Sequence, residues 1–248
     1  MTNLSTSPVI PEYTIKVSPR AKHVRLKITP VDGLVVVVPR RFNHALLDDI
    51  VVRHAGWIDK TFRRYADHIE PVNMQQAETL PDTIELSALG ECWTVEVAET
   101  ASGSVRAIQS GPLQLRLTGK TGDTGACRRA LRRWLMRHAR IHLVARLEQL
   151  ARDCDLSFDK ATIRGQRTRW GSCSSTGSIS LNYQLLFVSP AMLRYVLIHE
   201  LCHTVHLDHS LAFHALVARF EPEYKTLESQ LRQAWQGMPP WLHRLQAA

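Results

Sequence analysis

His199-Glu200-Leu201-Cys202-His203, with His209 six residues beyond, brings together the side chains in this chain best suited to metal chemistry. On a helix, residues four apart share a face one turn apart, so His199 and His203 can each direct a ring nitrogen at a single ion. Glu200, between them, is the expected general base for a water beside that ion. A third imidazole would leave one coordination position open, which is what separates a catalytic from a structural zinc site, and water held there ionises near pH about 7. The chemistry expected is therefore hydrolysis at a Zn2+ centre, with Ni2+ or Mn2+ as other divalent ions the donors would accept. A coincidental match would bury the Glu200 carboxylate without a partner, which is costly.

The third ligand is read as His209, whose spacing resembles the metzincin arrangement, in which the third histidine lies six residues beyond the second. Metzincins carry glycine three residues after the second histidine, where this chain has His206. Glu221 and Glu223 are the rivals, since either could arrive from a following helix as the glutamate does in thermolysin-like sites. His206 and His214 are read as surface residues or supports of the ligands. His138 and His142 repeat the four-residue spacing, but with no carboxylate between them and arginines around them, so no second metal site is expected.

The elements that must position these groups follow from the flanking sequence. Ser189 is a suitable N-cap, Pro190 suits a first helical turn, and the apolar run to Ile198 predicts a buried helix carrying the motif. Ahead of it, Ala161-Thr162-Ile163 reads as a short strand, and Ser178-Ile179-Ser180-Leu181-Asn182 alternates as an edge strand lining the cleft would, where an extended peptide could add. Between them lie Arg164, Arg167, Arg169 and Trp170. For a peptide substrate, Arg167, Arg169 or Tyr224 could donate to an oxyanion. For a nucleoside triphosphate, the three arginines could clamp phosphates and Trp170 could stack on a base. Cys202 reads as a small core residue.

The fold class expected is α+β, with a β-rich region over residues 1–122 containing one long helix and a zincin-like catalytic region over 123–248. Residues 12–39 predict a small antiparallel sheet with a turn at Asp32-Gly33. Asn43 can cap one helix running through Leu46, Ile50 and Trp57 to about His68, ahead of Pro71. Strands are expected near Thr83 to Leu86, Cys92 to Val97 and Leu113 to Leu117, with Gly90 and Gly111-Pro112 as turns. An arginine-rich helix containing Arg128, Arg129, Arg132, Arg133, Arg137, Arg140 and Arg146 then follows. Its apolar stripe is expected to be Ala130, Leu131, Trp134, Leu135, Ile141, Ala145 and Leu150.

With 248 residues the chain can bury a full core, and its net charge of +8 raises the question of an anionic partner. A solvated helix face accounts for the arginines better than nucleic acid does, so a nucleic-acid partner is not favoured. The five cysteines are odd in number and widely spaced, without C-x-x-C, which argues against a disulfide framework. The first residues lack a secretory pattern and no segment reaches eighteen apolar residues, so a cytoplasmic protein with no membrane association is expected.

Arg169-Trp170-Gly171-Ser172-Cys173, Ile179-Ser180-Leu181-Asn182, Tyr195-Val196-Leu197-Ile198-His199-Glu200-Leu201-Cys202-His203 and His209-Ser210-Leu211-Ala212-Phe213, in this order, resemble the YgjP-like family of metal-dependent hydrolases. Lys22-His23-Val24-Arg25-Leu26-Lys27, Gly33, Val37-Val38-Pro39 and Trp57-Ile58 extend the resemblance over nearly the whole chain. Relatives of that family include the SprT and WLM metalloproteases. The resemblance implies His199, His203 and His209 as ligands and Glu200 as base. It departs at His214, where family members usually carry tryptophan after the phenylalanine. It implies a metallopeptidase-like hydrolase acting on peptide or protein first. A UTP pyrophosphatase on the same metal site is the alternative, because some members are described so, and a DNA-associated protease of SprT type is another.

Overall fold

Branched apolar residues at alternate positions build the first sheet of the computed structural model, which describes residues 12–19, 21–29, 33–66 (backbone only for 63–66), 79–166, 168–235, 237–239 and 241–242. Strands β1 (Tyr13–Val17), β2 (Arg25–Thr29) and β3 (Gly33–Val38) lie in the order β1-β3-β2. The sheet is mixed where an antiparallel one was expected: β2 is antiparallel to β3, but β1 is parallel to it, with Tyr13 opposite Leu34. This order puts the most apolar strand in the centre, where both of its edges are paired. Leu34, Val36 and Val38 then pack on Leu47, Val51 and Ile58.

The helical segment after β3 is broken where one helix was expected. Asn43 does cap, accepting from the Ala45 N–H, but it opens a 3-10 turn (His44–Leu46) that leads into α1 (Leu47–Arg53) and then α2 (Ala55–Ala66). His54 separates the two helices at φ −104°, ψ 11°, with its ring Nδ1 2.8 Å from the Ile50 carbonyl oxygen. The side chain thus competes for a helical acceptor at the break. The expected helix end near His68, and Asp32 of the expected turn, lie outside the described residues.

A second sheet holds β4 (Thr83–Leu86), β5 (Glu91–Glu99), β6 (Arg106–Gly111) and β7 (Gln114–Gly119) in the order β4-β5-β7-β6. Strand β6 was not expected, because only Ala107 of its residues is buried and no apolar alternation announces it. Asp123 caps α3 (Thr124–Asp153) by accepting from the Ala126 N–H. Its buried face runs through Leu131, Leu135, Ala139, Leu143, Leu147 and Leu150. Ile141, expected on that stripe, is 66% exposed, and Ala145 is also exposed. Two residues past Ala139 lies the opposite side of the helix, and that geometry overrides the apolar character of Ile141.

The third sheet contains β8 (Lys160–Arg164), β9 (Gly171–Cys173) and β10 (Ser178–Asn182) in the order β8-β10-β9. Ser178–Asn182 is therefore the central strand and not the expected edge: it pairs parallel to β8 and antiparallel to β9, and Ile179 and Leu181 are fully buried. The edge strands of this sheet are β8 and β9. Helices α4 (Pro190–Cys202), α5 (Leu211–Phe220) and α6 (Tyr224–Ala234) complete the fold, which is α+β.

Two compact units divide between Gln76 and Ala77. The four-stranded sheet, grouped by the sequence reading with the N-terminal region up to residue 122, shares one continuous core with α3 and with α4. Among the described residues no helix is long and apolar enough to cross a membrane.

Candidate metal centre

Helix α4 begins as its sequence dictates, with Ser189 accepting from the Met192 N–H and Pro190 in the first turn. It ends within the motif: Cys202 is its last residue and His203 is the C-cap. The Thr204 N–H then bonds to Leu201 O and the His206 N–H to Cys202 O, which turns the chain. Among the described non-glycine residues only Leu113 and Asp155 have positive φ, so this turn needs no glycine at His206. Asp208 accepts from the Ser210 N–H, and Ser210 caps α5 by accepting from the Phe213 N–H. His209 is held between those two turns.

The three imidazoles converge. His199 Nε2 lies 3.2 Å from His203 Nε2 and 3.3 Å from His209 Nε2. Two nitrogens bound to one tetrahedral ion at about 2.0–2.1 Å are themselves about 3.3 Å apart, so the donor set fits a zinc-type ion. His203 Nδ1 lies 2.9 Å from the His206 carbonyl oxygen, which fixes the proton on Nδ1 and leaves the Nε2 lone pair facing the centre. The Tyr195 hydroxyl stands 3.4 Å from His199 Nδ1 in the corresponding place. Phe213, fully buried, floors the cluster, with ring centres 4.3, 4.9 and 5.0 Å from His203, His209 and His199. Burial first, and then the neighbouring imidazoles, pulls His199 down to about 3, and burial lowers His203 as well. Both rings are thus neutral, the form that binds metal.

Glu200 is 5% exposed, and its Oε2 is buried without a hydrogen-bond partner. Burial pushes its carboxyl up to about 8, against the opposing charge of Arg169. A buried, unpaired carboxylate oxygen beside three convergent nitrogens is the second feature that fits an ion with its water. Gly171 of β9 makes this packing feasible, because a Cβ there would stand 2.5 Å from Glu200 Oε1.

A cavity of about 410 Å³ opens beside Glu200 and His199, walled by β9 and the preceding residues on one side and by α6 on the other. Of the expected substrate-binding residues, Arg169 and Trp170 line it. Trp170 is a fixed wall and not a free ring: it is 8% exposed, its Nε1–H donates to Leu231 O, and it stacks on Trp235 at 3.9 Å. Arg164 is exposed at the end of β8, across β10 from β9, and is not among the lining residues. Arg167 lies outside the described residues. Tyr224 stacks on His214 at 5.8 Å and does not line the cavity.

Of the rival ligands, Glu221 is engaged by Arg194 at 3.1 Å, and Glu223 precedes α6 outside the cluster of convergent donors. Sequence reasoning missed Tyr195, Gly171, Glu228, Arg232 and Trp235, all of which line the cavity. Tyr195 had a signal, since it precedes His199 by one helical turn. The others reach the site only through tertiary packing.

Elsewhere, Arg133 and Arg137 of α3 donate to the carbonyls of Val105 and Ala107, and Arg129 faces Asp123. All five cysteines are free, and the fully buried Cys202 thiol is pushed up to about 12 by burial.

Among protein families, the model described as YgjP-like, metallopeptidase domain, matches residues 22–234. No curated protein and no solved structure matches the chain.

Proposed function

Because this chain belongs to the YgjP-like family and is a metal-dependent hydrolase, we propose that it is a zinc peptidase that cleaves polypeptide bound in extended form along β9. The observation that carries this reading is the placement of an edge strand against the base: Gly171 of β9 touches Glu200, and β9 has a sheet neighbour on one side only among the described residues. An edge strand offers backbone N–H and C=O groups to an added strand, which suits a peptide of any sequence.

His199, His203 and His209 would hold the ion, which when bound supplies Lewis acidity to the scissile carbonyl and acidity to its water. Glu200 accepts a proton from water at its carboxylate and can return it to the leaving amine. Its apolar surroundings suit both steps, because a carboxyl raised toward neutrality both takes and gives a proton readily. Tyr195 orients the His199 ring from behind. Arg169 lines the cavity on the β9 side, where its guanidinium can donate to an oxyanion. The free cysteines suit a reducing compartment such as the cytoplasm.

One observation favours nucleoside triphosphate hydrolysis on the same site, namely that Arg169 and Arg232 both line the cavity. Against it, Arg232 is paired with Glu228 at 2.7 Å and the Trp170 ring is already stacked. The test uses an unstructured peptide substrate and copies of it N-methylated at single backbone positions. The proposal expects cleavage of the parent and a loss of about tenfold or more in kcat/KM when a nitrogen that pairs with β9 is methylated. Release of phosphate or pyrophosphate from a ribonucleoside triphosphate, lost in Glu200→Gln, with no peptide cleavage, would replace it.

A further inference from the structure

Away from the three histidines, Glu91, His138 and His142 also bring one donor atom each to within 4.8 Å of one another. His138 and His142 stand one turn apart on α3, with ring centres 4.3 Å apart. The carboxylate missing from their own stretch of sequence arrives from the first residue of β5, where Glu91 Oε2 lies 2.8 Å from His138 Nε2. The same oxygen accepts the Trp93 Nε1–H at 2.7 Å. Trp134 stacks along the His138 ring at 5.1 Å and Trp93 meets it edge-on at 5.4 Å. The His138 and Glu91 side chains are only 11% and 22% exposed. Imidazole and carboxylate are thus locked in place by neighbours, the kind of support that orients metal ligands. A hydrogen-bonded pair alone would account for the 2.8 Å contact, but the third donor, from His142, lies within reach of both.

We propose that Glu91, His138 and His142 form a second binding site for a divalent transition ion, separate from the centre at the end of α4. Two imidazoles with one carboxylate favour Zn2+, Ni2+ or Cu2+ over Mg2+ and Ca2+. The ion takes the place of the proton between His138 Nε2 and Glu91 Oε2, and the neutral imidazole, favoured by burial, carries that proton on Nδ1 instead. Glu91 is itself a ligand, so the cluster has no counterpart of Glu200. The site therefore acts as a clip joining β5 to α3, across 47 residues of sequence. An ion that binds the folded chain alone raises its thermal stability.

The experiment is metal content after equilibrium dialysis of the full-length chain against Zn2+, with His142→Ala and Glu91→Gln dialysed alongside. His142 is half-buried and outside the fully buried face of α3, so its truncation spares the core. Glu91→Gln keeps an acceptor for Trp93 should the first variant fail to fold. The expected result is two equivalents in the wild type, one in His142→Ala, and affinity for the second equivalent about tenfold or more weaker in Glu91→Gln. Hydrolysis by His142→Ala should equal that of the wild type. One equivalent in the wild type, or two in every variant, overturns the second site. Hydrolysis lost together with the second equivalent overturns its separation from the first.

Discussion

At Glu200 burial and charge pull against each other. Its folded carboxyl is raised from 4.5 to about 8 by burial, so the metal-free folded chain keeps a proton there that the unfolded chain has lost. That contribution to stability is fully present below pH 4.5 and is lost as pH rises through about 8. Glutamine, neutral at every pH, removes the dependence. In metal-stripped protein, Glu200→Gln should match the wild type in thermal melting at pH 4 and exceed it at pH 9, by on the order of a few kcal/mol. In zinc-loaded protein the same change should lower turnover by about 10² or more while leaving metal content unchanged. At His206 the contact with His203 is made by the backbone carbonyl. His206→Ala should therefore leave zinc affinity within about threefold, whereas Tyr195→Phe, which removes the hydroxyl behind His199, should weaken it by about tenfold, both read by competition with a chelator. The convergence of His199 and His203 was legible in the sequence because helical spacing alone puts them on one face. The carbonyl of His206 was not, because it depends on how the helix end turns.

At the scale of elements, the site is assembled by β9 against α4, and a three-residue strand gives no periodic signal of its own. The alternation of Ser178–Asn182 correctly marked a strand, but alternation reports which face is buried and is silent on which neighbours a strand pairs with. Its central place is decided by β9, the adjacent strand that pairs antiparallel to it, and by β8, which comes before β9 in the chain and pairs parallel on its other side. The same limit hid the carboxylate beside His138, which comes from β5 and not from α3. The close contact between β9 and α4 has a direct consequence. Gly171→Ala would place a methyl group 2.5 Å from Glu200 Oε1, so the carboxylate must move. The expected outcome is a fall in kcat of about tenfold or more with zinc content and KM little changed, read by steady-state kinetics beside metal analysis. Full activity in Gly171→Ala would mean that the position of Glu200 does not limit turnover.

At the scale of the whole molecule, every side chain of the metal centre and its cavity belongs to the unit beginning at Ala77, which has its own core from Ile84 to Leu242. A chain of residues 77–248 should therefore fold, melt cooperatively and bind zinc at the three histidines, as circular dichroism and metal analysis would report. The alternating strands and the caps at Asn43 and Ser189 made the α+β class readable. The grouping of the four-stranded sheet was less so, since it follows from burial of Leu115, Leu117 and Trp93 in the same core as Leu131 and Trp134, a long-range contact. We propose that Glu200 and three convergent imidazoles make this chain a metal-dependent peptidase. This is tested most directly by incubating an unfolded protein substrate with zinc-loaded wild type and with Glu200→Gln of equal metal content. New peptide termini are expected with the wild type and none with the variant. Equal cleavage by both, or none by either alongside nucleotide hydrolysis by the wild type alone, would contradict the proposal.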